Sequence, residues 1–141
     1  MIEYTTNPII LNQIGLSGEY LAASVLQRHF KTIAFANHNS SYDLILEQLN
    51  GGFLKCQVKT TSTADKNKDY RFFRWNLDKS RHKKYAFQDF HFVAFVVLPL
   101  RLCCFKLNDE IKGQTHRISV SDFNADLEKK SIQNILGVFN E

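Results

Sequence analysis

Two short segments on either side of Asn50-Gly51-Gly52 constrain this chain most. Tyr42-Asp43-Leu44-Ile45-Leu46 and Phe53-Leu54-Lys55-Cys56-Gln57-Val58-Lys59-Thr60 read as neighbouring strands joined by a hairpin, with the glycines supplying the reversal. Alternation puts Gln57 and Lys59 on one face and Cys56 and Val58 on the other, with Cys56 turned toward the core. Pairing the strands brings an acid near the start of the first and a Gln-x-Lys pair near the end of the second onto one sheet. A carboxylate, an amide oxygen and an ammonium group together suit a divalent cation and a phosphate.

Around this hairpin the chain alternates between helical and strand patterns. Residues 1 to 11 carry a weak signal, an arm or a short strand. Asn12 to Phe30 is helical, Thr32 to Phe35 a strand, and 36 to 41 a polar loop. Thr61 to Asp69 reads as a second polar loop and Asp78 to Phe87 as a basic helix. Phe90 to Leu98 and Leu102 to Leu107 are strands turning at Pro99-Leu100-Arg101. Ser121 to Phe139 is a final helix, with Ser121 or Asp122 as its cap. The order implies an α/β fold in one domain over 1–141, with a sheet flanked by helices. At 141 residues such a domain buries a sizeable core.

Three cysteines, without a C-x-x-C, fit a reducing cytoplasm. The scattered histidines lack zinc-ligand spacing, and no phosphate-binding glycine loop or nucleophile elbow occurs. Met1-Ile2-Glu3-Tyr4 has no signal-peptide character, and no apolar run approaches the ~20 residues of a bilayer span, so no membrane partner is expected. Twelve phenylalanines suggest a core built on rings, with some left for an interface.

Charge is unevenly spread. Between Lys55 and Lys84, ten basic residues face three aspartates, a net +7, while the rest of the chain carries −3. The basic set is Lys55, Lys59, Lys66, Lys68, Arg71, Arg74, Lys79, Arg81, Lys83 and Lys84, interleaved with Tyr70, Phe72, Phe73 and Trp75. Such a run is either a solvated face or a track for a polyanion, and its place directly after the Gln-Val-Lys strand favours the polyanion. Thr60, Thr61 and Ser62 are placed to donate hydrogen bonds to phosphates. On the first helix, Glu19 falls within the apolar stripe of Ala22, Ala23, Leu26 and Phe30, beside Gly15 and Gly18. It either meets a Lys or Arg at the stripe's edge or points toward Asp43, Gln57 and Lys59, because a buried unpaired carboxylate is costly.

Gly18-Glu19 on a first helix, Tyr42-Asp43 on a second strand and Gln57-Val58-Lys59 on a third resemble the PD-(D/E)XK nuclease superfamily. Gln57 stands where the usual second acid is expected, which is similar to the QxK variant of the group I intron homing endonuclease type. Tyr42 replaces the proline of the motif. The resemblance spans about Gly15 to Thr61. It implies a restriction-endonuclease-like core with a mixed central sheet of about five strands. It also implies a Mg²⁺-dependent endonuclease, with Mn²⁺ as a substitute, that cuts double-stranded DNA in a bacterial or phage-infected cell. Asp43, Gln57, the Val58 carbonyl and Glu19 would be metal ligands, with Lys59 at the scissile phosphate. A double-strand cut would call for a homodimer or homotetramer. A Holliday junction resolvase, a restriction-type nuclease, and a DNA-binding module of this fold that has lost cleavage are the alternatives.

Overall fold

A computed structural model describes residues 6–37, 40–77 and 89–140. The chain opens with α1 (Pro8–Leu26), then β1 (Thr32–Phe35), β2 (Leu44–Glu47) and β3 (Phe53–Thr61). β4 (Asp65–Asn67), β5 (Tyr70–Asn76), β6 (Phe92–Val97), β7 (Leu102–Leu107), β8 (Thr115–Ser119) and α2 (Ala125–Phe139) follow. The central sheet has the order β1-β2-β3-β6-β7. Its β3–β6 pair is parallel and the others antiparallel. This is the expected mixed five-stranded α/β sheet, with two α-helices among the described residues.

β6 explains the layering. All six of its residues are buried, as a strand covered on both faces requires. Phe92, Ala94 and Val96 pack with α1 and α2 through Ala22, Leu26, Ile132 and Ile135. Val93, Phe95 and Val97 face the other way, onto Phe73, Trp75 and Phe123. The Trp75 Nε1–H donates to the Val96 carbonyl at 3.0 Å. The β7 edge is closed by side chains: Glu128 and Ser131 of α2 accept from the Cys103 and Phe105 N–H groups at 2.8 and 2.9 Å. That satisfies edge donors which would otherwise invite another strand.

Four expectations need correction. α1 begins at Pro8, not Asn12, and ends at Leu26. Asn7 caps it by accepting from the Ile9 N–H at 2.9 Å, and Pro8 needs no donor in the first turn. This 19-residue helix is apolar enough by length and composition to cross a bilayer, contrary to the run-length reading, although here its Gly18–Ala22–Leu26 stripe packs on the sheet. The cap of α2 is Asn124, which accepts from Leu127 N–H, while Ser121 and Asp122 sit in a preceding single turn.

The fourth correction is larger. Residues 61–69 are not merely a loop, because β4 pairs with β5, and β5 with β8, in a second antiparallel sheet. Asp-Lys-Asn is a poor strand former, and its pairing is imposed by β5, whose Phe73 and Trp75 point into the core. The expected basic helix at Asp78–Phe87 lies outside the described residues.

The approach of α1 to β3 is set by one glycine. A Cβ on Gly18 would overlap Thr60 Oγ1 and lie 2.8 Å from Thr60 Cβ and Cγ2, whereas one on Gly15 would meet nothing within 4 Å. Gly18→Ala is therefore expected to lower unfolding free energy by about 1–3 kcal/mol. Gly15→Ala should leave it unchanged or raise it by about 0.5–1 kcal/mol. Urea midpoints at constant m distinguish the two, and equal effects would show that α1 does not rest on Thr60.

Candidate active site

The β2–β3 ladder runs only as far as Leu44 opposite Cys56. Asp43, immediately before β2, continues it in two steps. Its N–H donates to the Cys56 carbonyl at 2.9 Å, and its carboxylate Oδ2 accepts the Val58 N–H at 2.7 Å. The side chain thus replaces the backbone acceptor that a longer β2 would have offered. In an extended strand the N–H and C=O of one residue point to the same edge, so the Val58 carbonyl faces the gap where β2 has ended.

Glu19 reaches this place because Gly18 lets the helix backbone press against Thr60. Its carboxyl is pushed up from 4.5 to about 7, first by burial and then by the negative charge of Asp43. Asp43 is itself raised by burial, with the Val58 hydrogen bond and the Lys59 charge pulling the other way. Glu19 is therefore coupled to Asp43, and Asp43 to Val58 and Lys59. Cys56 and Val58 turn into the helix-side core as the alternation requires. Gln57 lies in register with Val93, half-buried and two residues before Lys59. Among the described residues no side-chain hydrogen bond links it to Asp43 or Glu19.

A cleft of about 510 Å³ opens beside these residues. Gly15 and Glu19 form one wall, Val58 to Thr63 the floor, and Asp65, Arg74 and Asn76 the other wall. Of the expected phosphate-contacting residues, Thr60, Thr61, Ser62 and Arg74 line it. Lys66, Lys68 and Arg71 stand on the β4–β5 hairpin, all exposed. Lys79, Arg81, Lys83 and Lys84 lie outside the described residues, as does His38-Asn39.

The fold matches that of a bacterial homing endonuclease. The structure of I-Ssp6803I, so described, aligns with a TM-score of 0.63 at 20% identity, over 87% of this chain and 97% of that one. At that identity the likeness concerns fold alone. No protein-family model and no curated protein matches the chain.

Two features of the neighbourhood escape a reading of the sequence. Arg117 of β8, far from the basic window, is paired across the sheet with Arg74. Asp65 holds Arg74, Oδ2 to Nε, at 3.1 Å. Behind the site, the Lys55 ammonium lies 5.1 Å from the Tyr42 ring centre, and His91 Nδ1 accepts the Lys55 N–H at 2.9 Å. Burial and Lys55 lower the His91 pKa, in keeping with a neutral acceptor. Strand register, rather than any local motif, brings these partners together.

No group of three or more His, Cys, Asp or Glu side chains gathers among the described residues. The available donors are oxygens: two carboxylates, an amide and a backbone carbonyl, a set suited to a hard divalent cation and not to zinc. The repulsion from Asp43, which adds to burial in raising Glu19, is what a bound cation would relieve.

The sign of the pH dependence follows. A carboxyl raised in the folded state binds its proton more tightly there than in the unfolded chain. Its stabilising contribution is present below pH 4.5 and lost as pH rises through about 7. Glu19→Gln should remove that loss, so the variant should gain on the native protein in urea melts between pH 4.5 and 8. A difference that does not change with pH would show that Glu19 is solvated instead of held against Asp43.

Proposed function

We propose that this chain is a metal-dependent endonuclease that hydrolyses phosphodiester bonds in double-stranded DNA, of the site-specific homing type. The observation that carries the reading is the convergence of Glu19, Asp43 and Lys59 beside a hydroxyl-lined cleft. The likeness of the fold to a homing endonuclease supports it. Asp43, Glu19, the Gln57 side-chain oxygen and the Val58 carbonyl would hold Mg²⁺, with Mn²⁺ as a substitute. The bound ion supplies charge stabilisation at the phosphoryl oxygens and acidifies water.

The chain's own groups divide the remaining work. Lys59 sits two residues beyond Gln57 on the same pleated face, where its ammonium meets the scissile phosphate and stabilises the charge developing on it. Asp43 keeps Oδ2 on the Val58 N–H at 2.7 Å, which fixes the carboxylate that would serve as a ligand. Glu19 must lose its proton to act as a ligand, so cation affinity rises with pH through about 7. Thr60, Thr61 and Ser62 donate to flanking phosphates. Breaking both strands takes two such centres, which makes a homodimer or homotetramer part of the reading.

One observation favours a second reading. Gln57 supplies an oxygen but no charge, as suits a DNA-binding module of this fold that no longer cuts. Incubation with supercoiled plasmid in Mg²⁺ separates the two. The nuclease reading expects nicking or linearisation, abolished by chelator and reduced on the order of 10²–10³-fold or more by Asp43→Ala, with DNA binding retained. Duplex binding by the native protein without any Mg²⁺-dependent cleavage would establish the module instead.

The neutral ligand makes its own prediction. Gln57→Glu adds a negative charge beside the cation and should lower the Mg²⁺ concentration that gives half-maximal cleavage. An unchanged Mg²⁺ requirement would mean that Gln57 stands outside the metal's reach.

A further inference from the structure

The second sheet places like charges directly opposite one another at two positions. Lys66 is paired with Arg71 across β4 and β5, and Arg74 with Arg117 across β5 and β8. Opposed like charges destabilise a sheet, so local packing gives no reason for either pair. At the turn Lys68 has φ +57, in the left-handed region that favours glycine or asparagine. Asp65 relieves Arg74, and the Arg117 guanidinium lies 5.3 Å from the Phe72 ring centre. Exposed Tyr70 stacks on the same ring at 5.5 Å.

The shape of this sheet changes along its length. β8 pairs with β5 only from Phe72 to Asn76, so the end formed by Lys66, Asn67, Tyr70 and Arg71 is a two-stranded ribbon. A B-DNA major groove about 12 Å wide admits a ribbon of two strands. The ribbon's base, at Asp65 and Arg74, lines the cleft beside Lys59. From Arg74 to Tyr70 the strand advances four residues, about 13 Å at ~3.3 Å each. That is about four base-pair steps of ~3.4 Å.

We propose that the β4–β5 ribbon is the sequence reader of this protein. It enters the major groove of the bound duplex and presents Lys66, Lys68 and Arg71 to base edges, while Arg74 and Arg117 hold phosphates at the groove's margin. The inference rests on the endonuclease reading and adds to it which element reads bases and how near the cut. Long cationic side chains are suited to the paired acceptors of guanine in that groove.

The test uses the full-length protein and a library of randomised duplexes, with cleavage products selected in Mg²⁺ and bound duplexes selected in Ca²⁺. Wild type should enrich a motif. Lys68→Gly, which suits the left-handed turn, and Arg71→Ala should each relax the motif at base pairs within about five of the cut. Discrimination there should fall about 5- to 150-fold. Arg117→Ala should instead weaken all sequences alike and reduce the salt dependence of binding by about one counterion. Urea melts of the three variants establish that each remains folded. An unchanged motif in folded Lys68→Gly and Arg71→Ala, or a uniform loss of affinity in both, overturns the ribbon proposal while leaving the endonuclease reading standing. A wild-type protein that neither cuts nor binds any duplex overturns both.

Discussion

The hydrogen bond from the Val58 N–H to the Asp43 carboxylate is where the sheet becomes a site. A strand that has lost its neighbour on one side must satisfy its next donor, and a buried unmade bond costs about 1–3 kcal/mol. Asp43 meets that requirement with a side chain. The price of the substitution is a half-buried carboxylate with its pKa raised. The same bond fixes where β2 ends, which edge the Val58 carbonyl faces, and how close an anion stands to Glu19. Local backbone accounting and the electrostatics of the cleft are therefore one problem with one solution.

β3 connects that solution to the rest of the molecule. Its first half pairs with β2 and its second half with β6, the two ladders overlapping at Cys56, and α1 lies over Thr60. It thus belongs to the core at Cys56 and to the cleft floor at Thr60 and Thr61. One continuous strand carries Gln57, Lys59 and the hydroxyls in fixed relative positions. A site on a strand anchored at one end by a buried core holds its geometry better than one on a loop. β6, buried on both faces, makes that anchoring possible by accepting helices on one side and the second sheet on the other.

What could be read in advance follows from which interactions are local in sequence. The hairpin at Gly51-Gly52 and the face shared by Gln57 and Lys59 were legible, because alternation and a turn signal lie within twenty residues of each other. The apolar stripe around Glu19 was legible for the same reason, although the pocket it enters depends on Gly18 meeting Thr60 forty-two positions later. The second sheet was hidden. Asp65-Lys66-Asn67 and Thr115-His116-Arg117-Ile118-Ser119 carry little strand propensity of their own and become strands by pairing with β5. Arg117 accordingly counted toward the weakly acidic body of the chain, whereas register sets it beside Arg74. The Asn7-Pro8 start of α1 was visible in principle, since a capping side chain followed by proline is a local signal.

Gln57 and Glu19 have to be considered together. A carboxylate at position 57 would add a third acid to this end of the sheet, and in the metal-free protein its charge would add to the burial and the Asp43 repulsion that already raise Glu19 to about 7. An amide there lowers that cost while retaining an oxygen donor. The consequence for a cation is that the protein alone offers at most two negative charges, one of them partly titrated at neutral pH. A phosphate brought into the cleft restores the missing charge from the substrate's side, so a site of this composition favours its cation most when DNA is present. Under the proposed reading, the neutral ligand then acts as a coupling device: it makes metal occupancy, and with it cleavage, depend on a correctly seated duplex.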